Sequence, residues 1–181
     1  YHLWAIEKKE GFEDVLAWCL HDHHVKWVDD IQVFKELKLR LLNAVHILSC
    51  GYAWTSGFTF VAEAMENRGF QDYLDGLIAE IKKSMILPIA NEEMDDFAKH
   101  VKERFANPYL AHAWTSIMVN YSDKMKIRAL PLLTQYYHHF GKCPSYMLLG
   151  WAQYFILSTP SKEEDGKYYL ETDQGKLLIN D

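Results

Sequence analysis

Between Leu37 and Cys50 nearly every position is apolar, the exceptions being Lys38, Arg40, Asn43, His46 and Ser49. A helix that is apolar around most of its circumference is a buried one. The pattern predicts one long helix here, with Asp29 or Asp30 as its N-cap and its end within 51–57. Further helical stretches follow at 61–67, at 74–87 with Leu74, Leu77, Ile78 and Ile81 on one face, and at 92–105, begun by Asn91 and stopped by Asn107-Pro108. Pro108 opens the helix that carries Asn120 and Lys124. Segments 127–140 and 145–157, separated by Gly141-Lys-Cys-Pro144, complete the set, and 13–19 reads as a short helix or a loop-flanked segment. After Pro160 the pattern changes: 161–166 is polar, and 167–171 and 176–180 flank Thr172-Asp-Gln-Gly175. The expected fold is all-α, a multi-helix domain over residues 1–160, with a polar linker and a short β-hairpin or irregular tail over 161–181. No internal repeat is visible.

Lys38, Asn43 and His46 interrupt the apolar run. At about 100° and 1.5 Å per residue they fall within an arc of roughly 140° along about 12 Å of helix. Buried in such a helix, Lys38 would find its ammonium form disfavoured, so that it can act as a general base on an alcohol. The Asn43 amide and the His46 imidazole can each donate a hydrogen bond to an oxygen on which negative charge develops as that alcohol is oxidised. The same trio would equally suit a satisfied structural network in a helical ligand-binding or interaction module without catalysis. Arg40 is expected on the far side of the helix.

Asn120, Lys124 and Arg128 recur every four residues, and on a helix they form one stripe of two cations and an amide. Such a stripe can bind the carboxylate of an acidic small molecule, or it can be an ordinary solvated face. A formal net charge of −6 gives no footprint for nucleic acid, yet it is compatible with a local cationic pocket. No G-x-G-x-x-G turn occurs among the nine glycines, so no residue here is assigned to dinucleotide binding. Cys19, Cys50 and Cys143 follow no pairing rule and read as reduced thiols of a cytoplasmic protein. No long apolar span suggests a membrane segment. His21-Asp-His-His24 meets no metal-ligand spacing, so its histidines are expected in an exposed loop. His138-His139 is read as an aromatic helix end. Glu63 and Glu66 read as a solvated edge, and the six tryptophans as core residues.

The run Phe34-Lys-Glu-Leu-Lys38-Leu-Arg-Leu-Leu-Asn43-Ala-Val-His46 resembles the catalytic helix of the mannitol dehydrogenase family of metal-independent polyol dehydrogenases. The resemblance continues, in the family's order, through Thr59-Phe-Val-Ala-Glu-Ala-Met65, Arg104-Phe-Ala-Asn-Pro108 and the segment from His112 to Arg128. It implies the family's helical C-terminal domain, of the 6-phosphogluconate-dehydrogenase-like type, with Lys38 as base, Asn43 and His46 polarising the reacting oxygen, and Lys124 touching substrate. Segments 1–7 and 116–131 look most like the sugar-acid members, the tagaturonate reductases or altronate oxidoreductases. For these the implied reaction is NAD-linked interconversion of D-altronate and D-tagaturonate, a step of hexuronate breakdown. Mannitol 2-dehydrogenase and fructuronate reductase chemistry are the alternatives within the family, and Ser116 stands where polyol-specific members carry an arginine. The resemblance further implies an N-terminal Rossmann domain as the partner that holds NAD, so these residues alone are expected neither to bind NAD nor to turn over. No metal, nucleic acid or membrane partner is expected.

Overall fold

The structure, a computed structural model, describes residues 4–17, 22, 24–159, 162–164, 167–172 and 175–179. Trp18, Cys19, His21, His23 and the Asp173-Gln174 turn, all singled out above, lie outside the described residues. So do Tyr1, His2 and Leu3. The fold is predominantly helical, as the pattern predicts, but it does not begin with helix. Strand β1 (Trp4–Glu7) pairs in parallel with β2 (Val25–Val28), and a single turn, α1 (Phe12–Val15), lies between them. Each strand is four residues long, too short for its alternation to register in the sequence. Their pairing is also non-local, which a local period cannot report.

The predicted long helix exists as one rod of three parts: α2 (Gln32–Leu37), a π-helical segment π1 (Lys38–Ala44), and α3 (Val45–Thr55). Asp30 starts it by accepting a hydrogen bond from the Gln32 amide at 2.8 Å, one residue before the helix is entered at Ile31. The rod is the core: Leu41, Ala44, Val45, Ile47, Leu48, Cys50 and Ala53 are fully buried along it. Around it lie α4 (Val61–Glu66), α5 (Arg68–Lys83), α6 (Asn91–Phe105), α7 (Trp114–Met118), α8 (Tyr121–Lys124), a second π-helical segment π2 (Met125–Ala129), α9 (Leu130–Phe140) and α10 (Ser145–Ser158). No helix among the described residues is long and apolar enough to cross a membrane.

Local chemistry sets most boundaries. Asn67 accepts from the Phe70 amide at 3.0 Å, so α5 starts six residues earlier than its apolar stripe suggests. Glu63 is no idle edge: its carboxylate accepts from the Thr59 and Phe60 amides at 2.9 Å each and secures the start of α4. Pro108 does not open a helix. Residues 107–113 remain irregular because they are pinned across to 59–61, through Val61 N–H to the His112 carbonyl, Trp114 N–H to the Thr59 carbonyl and the Trp114 indole to the Phe60 carbonyl. Trp114 is fully buried there, whereas Trp4 is half exposed, so the tryptophans are not uniformly core. The tail is a three-stranded antiparallel sheet, β3 (Lys162–Glu164), β4 (Lys167–Thr172) and β5 (Gly175–Ile179), in place of a two-stranded hairpin. Part of the segment read as linker is thus a strand.

Two contacts lock the rod in place. Helix α10 crosses α3 at backbone distance: a Cβ on Gly150 would stand 2.6 Å from the Leu48 carbonyl oxygen, and one on Gly51 would stand 2.8 Å from Gln153 Cβ. From α5, the buried Glu80 carboxylate accepts from the Met147 amide at 2.9 Å and so caps α10 from a neighbouring element. The second lock is Arg40, which is buried on the side of the helix away from Lys38 and Asn43 by sequence register. Its guanidinium donates to Glu36 at 2.9 Å and to the π2 carbonyls of Ile127 and Arg128 at 3.1 and 2.9 Å.

Gly150→Ala is expected to destabilise the protein by about 1–3 kcal/mol through overpacking against backbone that cannot yield. Arg40→Met is expected to cost about 3–5 kcal/mol, since it strands a nearly buried carboxylate and two carbonyls. Denaturant unfolding of the two variants checks both values; an Arg40→Met protein as stable as the parent would refute the second.

Candidate active site

Lys38 and Asn43 stand five residues apart at the two ends of π1. In an α-helix that spacing separates two side chains by about 140°. A π turn closes with i→i+5 hydrogen bonds, so residues five apart come round toward the same face. The wider turn therefore does for Lys38 and Asn43 what an α-helix would not, and π turns occur disproportionately at functional sites. Four residues that the sequence ties to chemistry, Lys38, Asn43, Lys124 and Arg128, lie in or beside π1 and π2, the two segments that Arg40 joins.

Exposure falls along the rod. Lys38 is exposed, Asn43 is half-buried, and His46 is buried at 7%. The expectation that Lys38 would be desolvated within this chain is thus wrong. The apolar run does not encircle the helix; Arg40 takes the buried position instead, because it finds a carboxylate and two carbonyls there and Lys38 would not. Among the described residues the Lys38 ammonium has no hydrogen bond or ion pair.

His46 is held by rings. It stacks on Phe105 with centroids 3.9 Å apart and an interplanar angle of 21°, and meets His112 edge-on at 5.2 Å and 81°. Its Nε2 is buried without a hydrogen-bond partner among the described residues. Burial, reinforced by His112, Arg104 and Arg128, pushes its pKa down to about 3, so the ring is neutral. A neutral imidazole keeps one N–H to donate. An unpaired, buried ring nitrogen in a native fold calls for an explanation, and a bound oxygen supplies one.

The Asn120, Lys124, Arg128 stripe is only partly assembled. Asn120 sits at φ 56°, exposed, in the break between α7 and α8, so it does not continue a helix face with the other two. Lys124 and Arg128 are half-buried neighbours across the start of π2. Burial, and then the Arg128 charge, lower the Lys124 pKa, and its ammonium donates to the Ile117 carbonyl at 2.8 Å. The Arg128 guanidinium has no partner among the described residues.

Two residues of this site carry no chemistry in the sequence reading: His112 and Arg104. His112 lies in the pinned loop, and burial followed by Arg104 lowers its pKa. Arg104 adjoins Phe105, the ring under His46. Their presence in the motif segments was the available signal, but only the fold brings the His112 ring to His46 and the Arg104 charge within electrostatic reach of it. Other candidates lie elsewhere. Cys50 is wholly buried, donates to the Ile47 carbonyl at 3.1 Å, and has its thiol pushed up to about 12 by that burial, so it is no nucleophile. Cys143 is free and exposed. His138 and His139 lie exposed in the last turn of α9, and His24, also exposed, donates its amide to Asp22. Among the described residues no three His, Cys, Asp or Glu side chains gather as a metal site.

Comparison with known proteins gives the family and the fold. The family model for the mannitol dehydrogenase C-terminal domain matches residues 30–177. Altronate oxidoreductase of Halalkalibacterium halodurans is 32% identical over 183 residues, covering 100% of this chain and 35% of the relative. Altronate oxidoreductase of Bacteroides thetaiotaomicron is 30% identical over 179 residues, covering 98% and 37%. The chain thus spans about a third of the length of these relatives. Among solved structures, Pseudomonas fluorescens mannitol 2-dehydrogenase, in a ternary complex with NAD and D-mannitol, superposes with a TM-score of 0.67 at 21% identity, covering 77% of this chain and 28% of that one. A substrate-free D-sorbitol dehydrogenase gives 0.65 at 21% identity, covering 83% and 31%. At that identity these two establish the fold.

The His46 ring should not titrate between pH 5 and 8 in the folded state, as NMR of its ring protons will report. The unfolded chain takes up this proton below about 6.5, while the folded one does so only near 3. As pH falls through that window the proton favours the unfolded state, so the parent should lose stability relative to His46→Asn. A ring that titrates near 6.5 in the folded protein would contradict the buried neutral form.

Proposed function

Because the chain belongs to the mannitol dehydrogenase C-terminal domain family, we propose that it is the substrate-binding, base-supplying half of an NAD-dependent sugar-acid oxidoreductase that interconverts D-altronate and D-tagaturonate. The observation that carries this reading is the unpaired, buried Nε2 of His46, in the buried part of the rod that presents Lys38 and Asn43. The altronate oxidoreductases that match nearly the whole chain supply the substrate.

In this reading Lys38 accepts the proton of the reacting hydroxyl. Asn43 donates its amide N–H and His46 its ring N–H to the same oxygen as negative charge gathers there. Neutrality suits His46 to this role, because a neutral donor stabilises the developing charge without first losing its own proton. Lys124 and Arg128 face the acid end of the substrate. Lys38 being exposed, the desolvation that makes it a base comes from what covers it, namely the substrate and a nucleotide-binding domain outside these residues. No glycine-rich turn between strand and helix is available here for a pyrophosphate, so NAD, which accepts the hydride, is held by that other domain. The unpaired thiols of Cys50 and Cys143 support a cytoplasmic location.

The alternative of a purely structural Lys-Asn-His network in a binding module has less support, since the Lys38 ammonium has no partner among the described residues. In the full-length enzyme, Lys38→Met should lower altronate-dependent NAD reduction about 10²- to 10⁴-fold while leaving the melting temperature unchanged. Full activity in that variant would remove Lys38 as the base, and a preference for D-mannitol or D-fructuronate over tagaturonate and altronate would replace the substrate.

A further inference from the structure

The β1–β2 pair stands apart from the helical body. Purely parallel sheets occur almost only where other elements cover both faces, and two strands alone make a marginal sheet. Here two parallel strands of four residues, with α1 between them, have no third strand beside them among the described residues. Of the residues in the two strands only Ile6 is buried. Trp4 is half exposed, and the Trp27 indole N–H is buried with no partner among the described residues.

The edge of β1 that faces away from β2 is open. The Trp4 and Lys8 amides donate to the His24 and Val28 carbonyls at 2.9 and 2.8 Å. In a ladder of that register, Trp4, Ile6 and Lys8 turn their backbone groups toward β2, and Ala5 and Glu7 turn theirs away. Neither the Ala5 nor the Glu7 amide has a partner among the described residues. A row of unpaired N–H and C=O groups on an edge is a template for another strand. The outer edge of β2 is less open, because the Val25 amide is already bonded to the Asp22 carbonyl at 3.0 Å.

The relatives narrow what the β1 edge takes. The model of the C-terminal domain begins its match at residue 30, just past β2, whereas the altronate oxidoreductases align with 98–100% of the chain, and most of their own length lies outside it. The segment from β1 to β2 is thus shared with these relatives but is no part of that domain. We infer that a strand from the nucleotide-binding domain of the same polypeptide pairs with the β1 edge, so that residues 4–28 belong to that domain's sheet and the helical domain starts near residue 30. The identity of the partner domain rests on the proposed function. A four-residue edge is too small a surface to hold a separate molecule, whereas a tethered strand pairs intramolecularly. Only Asp29, Asp30 and Ile31 separate β2 from α2, and the Glu7 carboxylate accepts from the Ile31 amide at 3.4 Å. A strand docked on β1 therefore bears directly on the start of the rod that presents Lys38.

The test uses the full-length enzyme. Hydrogen exchange followed by mass spectrometry should find every amide of residues 5–8 slow, where an open edge would protect only Ile6 and Lys8. Ala5→Pro removes an outward N–H and leaves the β1–β2 ladder intact; proline is tolerated on a free edge and not inside a sheet. This variant should melt about 5–10 °C below the parent, and Ala5→Gly, which keeps the N–H, should lose less than half as much. Fast exchange at Ala5 and Glu7, or an Ala5→Pro enzyme that melts within about 1 °C of the parent, overturns the inference. Protection that vanishes when the enzyme is diluted to a monomer gives the edge to a second copy and also overturns it. A parent enzyme with these amides slow that binds no NADH in a fluorescence titration overturns the proposed function, and the paired edge stands without it.

Discussion

A single buried guanidinium holds the working part of this fold together. Arg40 sits inside the first π turn and reaches the backbone of the second, with Glu36 balancing its charge. A π turn spaces its backbone groups less favourably than an α turn and is retained where something compensates for it. Here the compensation is reciprocal: Arg40 from one irregular turn serves carbonyls of the other. Without that bridge neither segment has a reason to keep its geometry, and the positions of Lys38, Asn43, Lys124 and Arg128 depend on both.

The site that results has a polarity of exposure. At its inner end His46 is fixed by Phe105 and His112 and kept neutral by burial; at its outer end Lys38 is open. The chemistry proposed for it needs opposite conditions at the two ends. The inner donor must be preorganised and dry, whereas the base must be reachable until substrate arrives. One rod supplies both because α10 packs on its α3 part and Phe105 of α6 stacks on His46, while Lys38 is left exposed.

Legibility in the sequence followed the length scale of the interactions. The long helices were readable because Leu74, Leu77, Ile78 and Ile81, or the apolar run from Leu41 to Cys50, repeat a period within one element. The β1–β2 pair was not, because Trp4 to Glu7 and Val25 to Val28 say little alone and find each other only in three dimensions. Pro108 misled for the same reason: its local preference for a helix start yielded to the cross-links between 107–113 and 59–61. In the site, Lys38, Asn43 and His46 stood out as polar residues in an apolar run. That same logic assigned Lys38 to the interior, whereas Lys38 is exposed and Arg40 is the buried cation. Polar residues in a greasy helix compete for burial, and the winner is the one whose hydrogen bonds can be met by distant backbone, which no local pattern records. His112 was likewise visible only as a letter in a motif until folding set its ring edge-on to His46.

The glycine contacts between α3 and α10 carry a mechanical consequence. With Gly150 resting on the Leu48 carbonyl and Gly51 under Gln153, the two helices interlock at two points where neither glycine leaves room for a side chain of its own. The rod and its buttress therefore translate and rotate as one block. Any gating of this half of the pocket must come from swinging that block whole, or from the loop that bears His112.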